Sequence, residues 1–155
     1  MKLLLIVLLS IILNSSMLFA QSAKVVYDLT TGKSSKIDKG LINSIKAMAK
    51  YYKEEKQELQ IIVVISGDAY KYFIEDLKNS PYFMEDDVLD VQKALKPRLE
   101  YLSDAYGVTF NMCATGMSSR GIDKETLYKY VHADLMKSVY LIDAQNDGYA
   151  YMPIH

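Results

Sequence analysis

A single cysteine, Cys113, among 155 residues excludes an internal disulfide, and the absence of tryptophan leaves tyrosine and phenylalanine to make every aromatic contact. With only three prolines and seven glycines there is no Pro/Gly-rich linker, and neither a low-complexity tract nor an internal repeat interrupts the chain. Two histidines, His132 and the terminal His155, show no close ligand spacing with that cysteine, so no metal site is expected and His132 reads as structural. Neither charge sign dominates. The 18 basic residues stand against 19 acidic ones, which gives no electrostatic footprint for nucleic acid. No glycine-flanked serine nucleophile is present. Gly32-Lys33-Ser34 imitates the tail of a P-loop, but Tyr27 stands where its first glycine is required. Nucleotide binding by that motif is rejected, Lys33 to Ser35 reads as a solvated turn, and no cofactor is called for.

Long apolar runs are confined to the start. Lys2 precedes a stretch from Leu3 to Leu13 that is apolar apart from Ser10, and Leu18-Phe19-Ala20 ends on a small residue before Gln21. Asn14-Ser15-Ser16 leaves this stretch short of the roughly 20 apolar residues a membrane span needs. Residues 1–20 are therefore expected to be a cleaved signal peptide, and residues 21–155 a single periplasmic domain with no membrane contact after cleavage. N-terminal sequencing of the mature protein should begin at Gln21; recovery only as a full-length membrane-bound chain would refute cleavage. Cleavage removes Lys2 and takes 155 residues to 135, leaving 17 basic against 19 acidic.

Strand and helix signals alternate through the rest. Lys24 to Thr30 (KVVYDLT) and Leu59 to Ser66 (LQIIVVIS) are apolar, β-branched runs, and Ile37, Leu41, Ile45, Met48 and Tyr52 form one helical stripe between them. Gly67-Asp68 predicts a turn and N-cap for a helix that places Tyr70, Phe73, Ile74 and Leu77 on one face. Asp86 and Asp87 are expected to cap a helix carrying Val88, Val91, Leu95, Leu99, Leu102 and Tyr106, kinked or split at Pro97 and ended by Gly107. Val108 to Cys113 predicts a third strand. Asp123 caps a short helix to Tyr128, an extended piece follows at Val131, Leu135 to Asn146 is helical, and Tyr149 to Ile154 is a last strand. The order specifies an α/β fold: a three-layer α/β/α sandwich with a mainly parallel sheet of about five strands. In such a sheet ligands meet the carboxyl ends of the strands, here the loops Thr30 to Ile37, Ser66 to Tyr70 and Cys113 to Gly121.

Cys113 stands at one of those ends. Either it is an apolar filler under the following loop, or it is a nucleophile, which acts as thiolate and needs positive potential to lower a free pKa of about 8.5. The turn Ala114 to Gly121 offers backbone N–H groups and Arg120, with Gly116 and Gly121 permitting close approach and Met117 beside them. Gly67 and Asp68 are the other candidates to line the crevice, Asp68 reading equally as a cap. Thirteen tyrosines suit pocket rims and subunit contacts as well as ordinary packing.

The segments MCATGMSSRGI (Met112 to Ile122), DKETLY (Asp123 to Tyr128) and QNDGYAYMP (Gln145 to Pro153) resemble the DsrE/DsrF-like sulfur-relay proteins, particularly their small stand-alone members. That resemblance implies a three-layer sandwich, a homo-oligomer (trimer or hexamer), and a cysteine that carries sulfur as a persulfide, for which Cys113 is the matching position. The partners it implies are a sulfur donor or acceptor protein or a small sulfur species. An opposed reading is an oligomeric module that binds a small ligand or partner while Cys113 is inert.

Overall fold

The structure, a computed structural model, describes residues 22–155; the expected signal peptide lies outside them. Strand β1 (Ala23–Leu29) leads into helix α1, which opens at Ser34–Lys36, widens to π geometry over Ile37–Asn43 and closes as α-helix over Ser44–Glu54. Then come β2 (Leu59–Ile65), α2 (Val88–Tyr106), β3 (Thr109–Met112), the short α3 (Ala114–Ser118), β4 (Val131–His132), α4 (Lys137–Asn146) and β5 (Ala150–Ile154). The sheet runs β4-β3-β2-β1-β5 with every neighbouring pair parallel. Parallel strands need crossovers, and these cover both faces.

Alternation along β1 divides the two cores. Val25, Tyr27 and Leu29 join Ile37, Leu41, Ile42 and Ile45 of α1 and Leu95, Leu99 and Leu102 of α2 in the larger one. Val26 and Val64 face the other way, onto Ala144 of α4, with Tyr140 and Leu141 beside them. This second layer is one ten-residue helix over the middle strands.

Several local expectations are corrected. The segment after β2 is not an α-helix: a 3₁₀ turn spans Gly67–Tyr72 and another Leu77–Asn79, while Ile74 bridges to Leu127. Tyr70, Phe73, Ile74 and Leu77 are all buried, so burial alone created the apparent helical face. Asp68 is exposed and Asp87 takes a left-handed conformation; neither they nor Asp123 makes a side-chain capping bond. Ser34 and Ser35 start α1 rather than lying in a turn. Pro97 does not split α2, which is continuous because Leu95, Leu99 and Leu102 anchor it on both sides of the proline.

The sheet edges are unlike its centre. β4 has only two residues. On the opposite edge the Thr30 N–H donates to the Ile154 carbonyl at 3.0 Å, so alternation turns the main chain of Pro153 outward, away from β1.

Candidate functional site

Cys113 follows β3, its N–H donating to the Ile65 carbonyl at 2.9 Å, and its carbonyl receives the Met117 N–H at 3.0 Å to start α3. The expected turn is thus a short helix. Leu135, just before α4, closes the opposite side by accepting the Ala114 N–H at 3.0 Å. The first residue of α4 then donates: the Lys137 main-chain N–H lies 3.2 Å from Cys113 Sγ. An open cleft of 380 Å³ is lined by Cys113, Thr115, Met136, Lys137, Ser138 and Leu141. Cys113 is 8% exposed, at the wall of that cleft.

The electrostatics of the thiol are a contest between burial and donors. Burial pushes the thiol up, but the backbone N–H groups of Gly116 and Lys137 draw it down, with the Tyr70 hydroxyl and the Thr115 N–H adding to them, and the net direction is below the ordinary cysteine value. The Tyr70 hydroxyl donates to the Cys113 carbonyl at 3.1 Å and lies close enough to the thiol to favour its charged form as well. Burial and the nearby thiol push Tyr70 well up, which keeps it a donor.

The residues singled out from sequence have different placements. Gly116 stands against Tyr70: a Cβ built there would lie 2.0 Å from the Tyr70 hydroxyl oxygen. Arg120 does not face the sulfur. Its guanidinium sits over the Tyr70 ring at 5.1 Å and donates to the Gly116 carbonyl at 3.3 Å. Met117 is buried in the main core, and Gly121 turns the chain at φ 64 with open space around it. Gly67 and Asp68 do not line the cleft; they pack where the loops after β1 and β2 close on each other. A Cβ at Gly67 would meet the Thr30 carbonyl oxygen at 2.8 Å, and one at Gly32 would meet Asp68 Cβ at 2.8 Å.

The strand order sets the switch point of the sheet. Connections reverse direction between β1 and β5, not among β1, β2 and β3. A groove of 580 Å³ lies there, between the π-helical part of α1 and β5, with Ser35, Lys36, Lys39, Pro153 and Ile154 in its walls. Among the described residues no cluster of three or more His, Cys, Asp or Glu could hold a metal, and no helix is long and apolar enough to cross a membrane.

Sequence reasoning missed a buried ionic group next to the cleft. Asp28 of β1, with its side chain 4% exposed, lies 2.8 Å from Lys137 Nζ and accepts the Tyr151 hydroxyl at 2.9 Å. The signal was present: one acid inside the apolar run KVVYDLT, on a strand the sheet buries on both faces. Its partners lie more than a hundred residues away, beyond any local pattern.

The family model for the DsrE/DsrF-like family matches residues 24–154. Among solved structures, the protein of unknown function MTH1491 from Methanobacterium thermoautotrophicum is similar at 17% identity and TM-score 0.64, over 85% of this chain and 99% of that one. No curated protein matches.

Proposed function

Because the chain belongs to the DsrE/DsrF-like family, we propose that it is an exported sulfur carrier whose single cysteine, Cys113, accepts a sulfane sulfur as a persulfide and passes it on. The observation that carries the reading is the Lys137 N–H at 3.2 Å from a thiol drawn below its ordinary pKa, beside an open cleft. A thiolate there attacks a sulfane sulfur of a polysulfide. One S–S bond forms, the donor's S–S bond breaks, and the shortened polysulfide leaves with the electron pair. The same N–H groups would hold a terminal persulfide anion as they hold the thiolate. Intact mass spectrometry after polysulfide exposure tests this: the native protein should gain one sulfur.

A second reading rests on the groove at the switch point, where α/β sheets bind ligands, and on the 8% exposure of Cys113. On it the chain is a binding module with an inert thiol. Reaction of Cys113 with alkylating agents only after denaturation would favour it.

Self-association belongs to the proposal in either case. Met136, Ile142, Tyr151 and Met152 are exposed apolar side chains on or beside α4 and β5, 50%, 56%, 43% and 38% accessible. Light scattering of the mature domain should give several times the mass of one chain, and a strict monomer at micromolar concentration would overturn the expectation.

A further inference from the structure

Asp28 needs a reason. A carboxylate in the middle strands of a parallel sheet is expensive, and an apolar pair in place of a buried ion pair often gives equal or greater stability. Its Oδ1 is buried and accepts no aligned hydrogen bond; the Lys137 ammonium at 2.8 Å is what neutralises it. Lys137 meanwhile joins two regions. Its main chain donates to Cys113 Sγ, and its side chain, 33% exposed, is the only charged one lining the cleft among the described residues. The remaining lining is the Thr115 and Ser138 hydroxyls and the apolar Met136 and Leu141.

From this arrangement we infer that Lys137 makes the Cys113 cleft selective for anionic reactants over neutral ones, and that Asp28 sets how much of the lysine charge an incoming reactant feels. The inference rests on the carrier reading and deepens it: the preferred sulfur donor is a small anion, met by a one-third-exposed cation in a cleft with no acid among its described lining residues. Asp28 is a positioning residue. At rest it holds the ammonium toward the sheet and masks part of its field, while Tyr151 fixes the other carboxylate oxygen. Arg120 does not line the cleft: its guanidinium sits over the Tyr70 ring and donates to the Gly116 carbonyl.

The test compares alkylation of native Cys113 by iodoacetate, an anion, and iodoacetamide, its neutral analogue, at low ionic strength. In both, thiolate sulfur forms a bond to carbon and iodide leaves with the electron pair. Both reagents draw on the same thiolate, so the ratio of their rates cancels any change in thiol pKa and reads local charge alone. Asp28→Asn keeps the shape and an acceptor for Tyr151 while unmasking Lys137, and should raise the iodoacetate-to-iodoacetamide ratio. The neutral pair Asp28→Asn with Lys137→Gln keeps the main-chain N–H on sulfur and should bring the ratio down by about threefold or more from the single variant, the scale of one charge several ångströms away. Arg120→Ala should leave the ratio unchanged. Equal ratios in Asp28→Asn and the neutral pair, or a fall in Asp28→Asn below the native protein, would overturn the inference. Should either variant fail to fold, the native protein decides: its ratio must fall toward that of free cysteine as salt is raised, and a salt-independent ratio overturns the inference. A native Cys113 that reacts with neither reagent would instead sink the carrier reading itself.

Discussion

Gly116→Ala is expected to destabilise the protein by about 2–3 kcal/mol, the combined scale of overpacking and a lost buried hydrogen bond. At an open helical position the same change would be stabilising by up to about 1 kcal/mol, because glycine loses more backbone freedom than alanine on folding. Here the sign reverses. The new Cβ would lie 2.0 Å from the Tyr70 hydroxyl oxygen and 3.0 Å from the ring carbon that bears it. Tyr70 is fully buried, donates to the Cys113 carbonyl and lies under the Arg120 guanidinium, so neither oxygen nor ring has an easy retreat. Either the tyrosine gives up its bond, or α3 shifts and carries the Gly116 N–H away from the sulfur. Denaturant melts should show the loss, and alkylation of the variant should need higher pH than the native protein. Adding Tyr70→Phe removes the closest atom and leaves the ring carbon, so it should recover part of the lost stability. Independent, additive effects of the two changes would show that the contact is not the cause.

Cys113→Ser should abolish sulfur uptake outright, because it is the only thiol in the chain and a hydroxyl is not a nucleophile toward sulfane sulfur near neutral pH. Serine is close in size and can still accept the Lys137 N–H, so the fold should survive. For the native thiol the direction of the pH dependence follows from the donors around it. They favour the charged form, so the folded pKa lies below the ordinary value, and alkylation should reach half its limiting rate at a pH below about 8.5. The same sign sets the stability linkage. A thiolate favoured in the folded state contributes stability that is full above the unfolded pKa and is lost as pH falls through the folded one. Melting across that window in native protein and Cys113→Ser should differ most at the alkaline end. A native midpoint at or above the free-cysteine value, with no sulfur gained, would leave the thiol a packing residue.

How much of this was legible in the sequence depends on whether a feature is local. The runs KVVYDLT and LQIIVVIS are written in successive residues, and they appear as β1 (Ala23–Leu29) and β2 (Leu59–Ile65). Cys113 was legible for the same reason, as the end of a strand followed by small residues. The segment after β2 misled because Tyr70, Phe73, Ile74 and Leu77 are spaced as a helix would space them, yet they are buried by a 3₁₀ turn and a bridge. Arg120 is close to Cys113 in sequence, but its resting place over Tyr70 is set by a residue fifty positions earlier. Asp28, Lys137 and Tyr151 come from β1, α4 and β5, and only strand order brings them together. Strand order is also what sets the reversal point of the sheet between β1 and β5.

Pro153 gives the outer strand a defence against its own kind. A bare sheet margin is a template on which another chain can zip, and open-ended stacking is how such margins lead to fibrils. Here one margin is two residues long and the other turns outward a ring with no hydrogen to give. Extension of the sheet from one copy to the next is therefore disfavoured at both margins. Contacts between copies are left to side chains on the broad surfaces, where Met136, Ile142 and Tyr151 are exposed. Pro153→Val would restore the missing donor and, with it, the hazard.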